Sequence, residues 1–298
     1  MSKERVHIIS KINMDGAGCV TILKHILNNA VITHEGVLDK NLYDLLEKHN
    51  TKGVTYDKLF ICGLPLEPDS IRLIDSKHTF IVNNIVDDNI KGLKTKCKLF
   101  LEECDSTTEL IYRKFSNSSS VEFSKQQKVL IRLISDFESY KLTTPFSYAL
   151  NIVYYSFTGD RIKQFSNTFK DGFNGFNPQQ QASLLYHNRR VEDVLRNLEP
   201  YSASVKLEGK DYNILSAFCD YGVNEVSKYF FDKLNADISI VINLEKNYVS
   251  FRANDKCDYD VSKLAAKLCN GGGKTKTAGG TLTEKILTFS KLFKSYES

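Results

Sequence analysis

Apolar residues in the first third of the chain come in short runs separated by amphipathic stretches. Val6-His7-Ile8-Ile9, Ala30 to Thr33, Leu59-Phe60-Ile61-Cys62 and Thr79-Phe80-Ile81-Val82 have the length and the β-branched or aromatic content of buried strands. Between them Cys19 to Leu27, Leu42 to His49 and Pro68 to Ile74 carry helical periodicity. Strands alternating with helices predict right-handed crossovers and a parallel sheet. In such sheets ligands bind beyond the carboxyl ends of the strands, which singles out the turns after Ile9, Cys62 and Val82.

The middle of the chain reads as helical. Ser106-Thr107-Thr108-Glu109 resembles a capping box ahead of the apolar run Leu110 to Phe115. Gln126 to Ser135 and Pro145 to Phe157 are further helices, and Asn117-Ser118-Ser119-Ser120 is a loop. Phe165, Phe169, Phe173 and Phe176 recur at near-helical spacing, which predicts core packing before a base-stacking platform. Pro178 to Leu198 is a long helix, opened by Asn177 and ended by Pro200. Beyond it lie a helix over Gly222 to Leu234, two strands over Ile238 to Leu244 and Tyr248 to Arg252, and a helix over Val261 to Cys269. The expected division is therefore an N-terminal domain over 1–177, a linker helix over 178–200 and a smaller α/β domain over 201–298.

Composition narrows the function classes. A chain of 298 residues that is 42% hydrophobic and 26% charged has globular composition, with two domains expected. No stretch nears the roughly 18 apolar residues of a membrane span, and Met1 to Arg5 lacks the apolar core of a signal peptide. Seven cysteines without CxxC spacing predict reduced thiols and argue against a disulfide scaffold or a zinc-cysteine site. A cytoplasmic protein without membrane partners is expected, with oligomeric state left open. The net charge of +4 is too mild to announce nucleic acid by itself. The six histidines show no metal-ligand spacing, so core or surface roles are expected for them, with His78 before the fourth strand as a weaker ligand candidate. Arg189 and Arg190 are expected on a solvated helix face.

Two segments could carry chemistry. Gly271-Gly272-Gly273-Lys274-Thr275-Lys276-Thr277-Ala278-Gly279-Gly280 holds five of the chain's 16 glycines. Such a run lets a phosphate or another backbone come close, and Lys274 and Lys276 add positive charge. It lacks P-loop spacing, and a plain connector is the competing reading. Arg252, on the strand before it, could clamp the same anion with two hydrogen bonds, or could form a surface ion pair. The second segment, Ser10 to Gly18, follows a strand and opens a helix; its carboxylate Asp15 suits either metal binding or helix capping.

Together the two segments resemble the DHH phosphoesterase superfamily, which includes RecJ-like nucleases, nanoRNases, cyclic-dinucleotide phosphodiesterases and pyrophosphatases. The resemblance covers essentially the whole chain. It implies a parallel-sheet catalytic domain, a linker helix and a DHH-associated C-terminal domain. The family's C-terminal pattern, an SxR strand and then GGGHxxAxG, is matched by Ser250-Phe251-Arg252 and Gly271 to Gly279, with Lys274 in place of histidine and the alanine shifted to Ala278. The catalytic motifs depart. HxDxDG is represented by Lys11, Asn13, Asp15 and Gly16. The strand-end aspartate position is Gly63, and Asp-His-His is replaced around Val82-Asn83-Asn84 or Asn83-Asn84-Ile85. The last aspartate motif survives at Asp136, with Glu138 as a second acid.

In that family, carboxylates and histidines hold a pair of divalent metals. Neutral Asn and Gly supply no charge, and Lys11 puts a cation where a cation should bind. Two like charges 4 Å apart repel by about 4 kcal/mol at an effective dielectric near 20. The resemblance therefore implies a degenerate member with no confident catalytic residue. It would bind a nucleotide, a short oligonucleotide or another phosphorylated ligand in a cleft between its domains without efficient hydrolysis. The expected contacts are Lys11, Asn13, Asp15, Asn83, Asn84, Asp136, Arg252, Gly271, Gly272, Gly273 and Lys274, with Lys11 held by Asp15 and Asp136. No cofactor is then needed. Two alternatives stand beside this. One is an active phosphodiesterase or exonuclease using manganese or magnesium on Asp15 and Asp136, with displaced ligands such as Asp87, Asp88 and Glu138. The other is an interaction scaffold with an empty cleft.

Overall fold

The computed structural model describes residues 3–51, 55–86, 88–116, 121–290 and 294–295. It divides into two compact units, Met1–Leu184 and Leu185–Ser298.

The first unit is built on five strands, β1 (Arg5–Lys11), β2 (Val31–Val37), β3 (Lys58–Cys62), β4 (Thr79–Asn83) and β5 (Lys98–Leu101), in the order β2-β1-β3-β4-β5. All four pairings are parallel. The crossovers carry α1 (Met14–Ile26), α2 (Leu42–Thr51), α3 (Pro68–Leu73) and α4 (Asp88–Lys91). Side chains alternate across the sheet. Val6, Ile8, Phe60, Phe80 and Val82 therefore pack on one face with Met14, Ala17 and Val20 of α1. Ile9, Leu59, Ile61 and Ile81 pack on the other face with Leu42 and Leu46 of α2 and Ile71 of α3. Helices on both faces are what an all-parallel sheet requires.

A helical block completes the first face: α5 (Thr107–Phe115), α6 (Lys125–Glu138), α7 (Pro145–Ser156) and α8 (Arg161–Thr168). Leu110, Leu130, Ile134, Leu150 and Tyr154 are fully buried against the sheet-side core. Phe165, Phe169 and Phe173 are core residues, as their spacing predicts. The loop expected over Asn117 to Ser120 lies outside the described residues. The long helix α9 (Pro178–Arg196) carries the division between the units.

The second unit is a seven-stranded mixed sheet. Its elements are β6 (Tyr201–Leu207), β7 (Lys210–Phe218), α10 (Val223–Leu234), β8 (Ile238–Asn243), β9 (Tyr248–Ala253), α11 (Val261–Cys269), β10 (Gly272–Lys274), β11 (Thr277–Thr281), α12 (Glu284–Ser290) and β12 (Lys294–Ser295). The strand order is β10-β11-β9-β8-β7-β6-β12, with β7 and β8 parallel and the other pairs antiparallel. Ile214, Ile238, Ile240, Val249 and Phe251 pack on one face with Val261, Leu264 and Leu268 of α11. Leu215, Ala217 and Val241 pack on the other with Val226 and Phe230 of α10. Among the described residues no helix is long and apolar enough to cross a membrane.

Candidate functional site

The carboxyl ends of β1, β3 and β4 bring the expected motif positions together, with one threonine at their centre. After β1 the chain turns through Ile12 into Asn13, whose Oδ1 accepts from the Gly16 N–H at 2.8 Å and caps α1. Gly16 is required there, because a Cβ would lie 2.0 Å from the Lys11 carbonyl oxygen. Asp15 is buried in the first turn of α1, yet it caps a different helix. Its Oδ2 accepts from the Thr107 N–H at 3.0 Å and its Oδ1 from the Thr108 N–H at 2.9 Å. Thr108 Oγ1 also donates to the Asp15 carbonyl at 2.9 Å. Asp15 thus holds the start of α5, where backbone N–H groups lack helical partners and the dipole favours an anion.

The neighbouring positions close on the same threonine. Gly63, with φ of +66°, follows β3; a Cβ there would stand 3.1 Å from Thr107 Oγ1 and 3.8 Å from Asp15 Oδ2. After β4, Asn84 Oδ1 accepts from Thr107 Oγ1 at 2.9 Å, and Asn84 Nδ2 donates to the Cys104 carbonyl at 3.1 Å. Asn83 Nδ2 donates to the Leu64 carbonyl at 3.1 Å, and its Oδ1 accepts from the Ile85 N–H at 3.2 Å. Both asparagines therefore fasten loops. Asp15, Gly63 and Asn84 do converge, as their motif positions suggested, but on a neutral hydroxyl and two amide hydrogens.

Two expected pairings differ. Lys11 Nζ lies 2.7 Å from Asp39 Oδ2, so its ammonium is balanced by Asp39 and not by Asp15 or Asp136. Asp136, near the end of α6, accepts through Oδ1 from the Thr143 N–H at 3.0 Å and Thr143 Oγ1 at 2.7 Å, and through Oδ2 from Ser147 Oγ at 2.6 Å. It ties α6 to the start of α7. Glu138 Oε1 accepts from Asn13 Nδ2 at 3.4 Å. Asp88 begins the short helix α4 and is exposed, and Asp87 lies outside the described residues.

These residues do not fit a pair of manganese or magnesium ions. Hard cations need several anionic oxygens free to converge. Of the positions meeting at Thr107, Asp15 alone is a carboxylate, and both of its oxygens already hold helix N–H groups.

Asp136 makes a pH prediction. Burial pushes its carboxyl up, but hydrogen bonds from Ser147 and Thr143 outweigh that and hold it below the ordinary value of 3.8. A depressed folded value means that the contribution is present above the unfolded pKa and is lost as pH falls through the folded one. Asp136→Asn is expected to lower stability at pH 7 and to flatten the acid limb of the stability profile below about pH 4. Urea unfolding between pH 3 and 7 checks this.

The second unit carries the glycine-rich segment as a hairpin with a two-residue turn at Thr275-Lys276. Lys274 pairs with Thr277, Thr277 with Arg252, and Arg252 with Ser239, which puts the four in one row across β10, β11, β9 and β8. Directly opposed residues share a face. The adjacent row on that face is Gly272, Gly279, Ser250 and Val241. Of its two glycines Gly272 is exposed, with nothing within 4 Å of a Cβ there, while the Tyr248 side chain lies over Gly279. Arg252 donates to Asn224 Oδ1 in the first turn of α10, so the guanidinium is held at a helix N-terminus. Gly271 and Gly273 serve close packing: a Cβ on Gly271 would meet the Gly279 carbonyl oxygen at 2.0 Å, and one on Gly273 would meet the Thr277 carbonyl oxygen at 2.4 Å. Lys276 is not available to a ligand, since its Nζ donates to the carbonyls of Asn254, Asp255 and Cys257.

Neither a family model nor a curated protein matches the chain. Solved structures do. The pGpG-specific phosphodiesterase PggH from Vibrio cholerae is similar over 97% of each chain at 13% identity, with a TM-score of 0.61. Exonuclease RecJ bound to manganese is similar over 97% of this chain and 88% of its own at 11% identity, with a TM-score of 0.52. An exopolyphosphatase-related protein from Bacteroides fragilis is similar over 97% and 91% at 15% identity, with a TM-score of 0.51. At these identities the likeness shows a shared fold with the phosphodiesterase, the exonuclease and the exopolyphosphatase-related protein.

Proposed function

We propose that the protein is a catalytically degenerate phosphoesterase-like protein that binds a nucleotide, a short oligonucleotide or another phosphorylated ligand without efficient hydrolysis. One observation carries this reading: Asp15, the surviving acid of the first motif, has both carboxylate oxygens engaged by the N-terminus of α5, while Gly63 and Asn84 beside it bring no charge. A phosphodiester needs an activated water and neutralised oxygens in the transition state. Among the described residues meeting at Thr107 the one carboxylate, Asp15, is already committed to two helix N–H groups. Phosphate binding needs less. Arg252 and Lys274, in one row beside the exposed backbone of Gly272 and with Arg252 held at the first turn of α10, offer a fork and a point charge on one face. The solved relatives named for phosphodiesterase and exonuclease activities suggest nucleotides as the first ligands to try.

The test is thermal. A ligand at about 100 times its Kd stabilises the folded state by about 2.7 kcal/mol, a rise of several degrees. A 5′-phosphorylated dinucleotide is expected to raise the melting temperature of the wild type. Arg252→Ala and Lys274→Ala are each expected to remove most of the rise. Unchanged shifts in both variants would place the ligand elsewhere, and the absence of a shift with any nucleotide or phosphate ligand would favour the scaffold.

A further inference from the structure

On the sheet face away from α1, three side chains distant in sequence meet. His7 stands on β1, Glu35 on β2 and His49 in the last turn of α2. Thr33 pairs with His7 and Glu35 with Ile9, so His7, Thr33 and Glu35 share one face with Ile9, the face that α2 covers. One ring nitrogen of each histidine and a Glu35 carboxylate oxygen lie within 4.8 Å of one another, and the two rings are 5.0 Å apart between centroids. Sequence spacing could not show this, because 42 residues separate the histidines and only the β1–β2–α2 crossover brings them together.

We propose that His7, Glu35 and His49 form a binding site for a divalent transition metal, zinc above all, with a fourth position open to water. The site is separate from the Asp15 cluster and does not depend on how the phosphate-binding surface is read.

Three features support it besides proximity. First, His7 is 8% exposed, and its Nε2 is buried with no hydrogen-bond partner. Its other nitrogen, Nδ1, is 2.8 Å from Thr33 Oγ1. With Nδ1–H donating to that hydroxyl, the lone pair falls on Nε2, an outer-shell arrangement that orients metal-bound histidines. The stacked ring of Tyr56, at 5.7 Å, fixes the imidazole plane. Leaving a buried nitrogen unpaired is costly unless something fills the place. Second, His49 Nδ1 is also buried without a partner, while its Nε2 lies 3.0 Å from Glu35 Oε2. Two donors so spaced can both turn to one ion. Tetrahedral zinc, with bonds of 2.0–2.1 Å, sets its ligands about 3.4 Å apart, so the cluster needs only a small closure. Third, the Glu35 side chain is 44% exposed, which gives an ion a path from solvent. Two imidazoles and one carboxylate suit zinc, nickel or cobalt better than magnesium or calcium.

Cobalt(II) provides the readout, since a tetrahedral nitrogen–oxygen site gives it strong visible absorption. Full-length protein stripped with chelator is titrated with cobalt and then with zinc. One equivalent of cobalt is expected to produce the visible band, and zinc is expected to abolish it. His49→Gln and Glu35→Gln, on half-buried and exposed positions that the fold tolerates, are each expected to weaken uptake at least tenfold with unchanged circular dichroism. No band in the wild type would overturn the proposal, as would cobalt affinity equal to wild type in either variant.

Discussion

Asp15→Ala is expected to destabilise the first unit by about 3 kcal/mol. The carboxylate accepts two backbone N–H bonds at the start of α5, and these donors are buried. Hydrogen bonds to a charged group contribute about 1.5–3 kcal/mol, and donors left without a partner cost about 1–3 kcal/mol each. Partial repair by water reduces the sum. For a unit of this size 1 kcal/mol moves the melting temperature by about 2–4 °C, so a fall of about 6–12 °C is expected by calorimetry. Asp15→Asn should also destabilise, because an amide can accept one N–H but must turn its own NH2 toward the other. The sign separates this role from catalysis. A carboxylate kept for holding metal is strained in the metal-free protein, and neutralising it usually leaves stability unchanged or raises it. A more stable Asp15→Asn protein would therefore point to a working metal site.

Gly271→Ala is expected to cost about 3 kcal/mol in the second unit and to abolish phosphate binding without touching a charge. A Cβ at Gly271 would lie 2.0 Å from the Gly279 carbonyl oxygen and 2.6 Å from the Gly280 Cα. Both obstacles are backbone, so β10 must part from β11. Overpacking of this kind costs about 1–3 kcal/mol or more. The displaced strand carries Lys274 away from the Arg252 row. Gly272→Ala is the control: nothing stands within 4 Å of a Cβ there and its φ is ordinary. It should keep full stability. Ligand-induced melting shifts and urea titrations of the two variants read both effects. Equal behaviour of the two would mean that the hairpin does not build the anion-binding surface.

Much of the fold was legible because burial writes itself into periodicity. The helix over Val261 to Cys269 matches its expected bounds, and four of the five parallel strands lie where apolar runs placed them. The fifth, Lys98–Leu101, is a half-buried edge strand of four residues, too short to show a pattern. The hairpin β6–β7 was missed although its turn is marked by Glu208 and Gly209, both at positive φ. Alternation in Ser204-Val205-Lys206-Leu207 could have revealed it. The site was legible by position but not by contact. The motif spacing placed Asp15, Gly63 and Asn84 near one another. It could not show that Thr107 and Thr108, read as a capping box, would take both oxygens of Asp15 from across the fold. Nor could it show that Asp39 would engage Lys11, since that pairing depends on where β2 delivers its loop. Side-chain partners set by tertiary packing leave no periodic trace.

Gripping a phosphorylated ligand without cutting it is tested in a single incubation with an excess of protein, an end-labelled 5′-phosphorylated dinucleotide and millimolar manganese. Bound ligand is separated by filtration and the product resolved by chromatography. Ligand retained intact by the wild type, and released by Arg252→Ala, is the expected result. Mononucleotide formed by the wild type and absent with Asp15→Asn would contradict it.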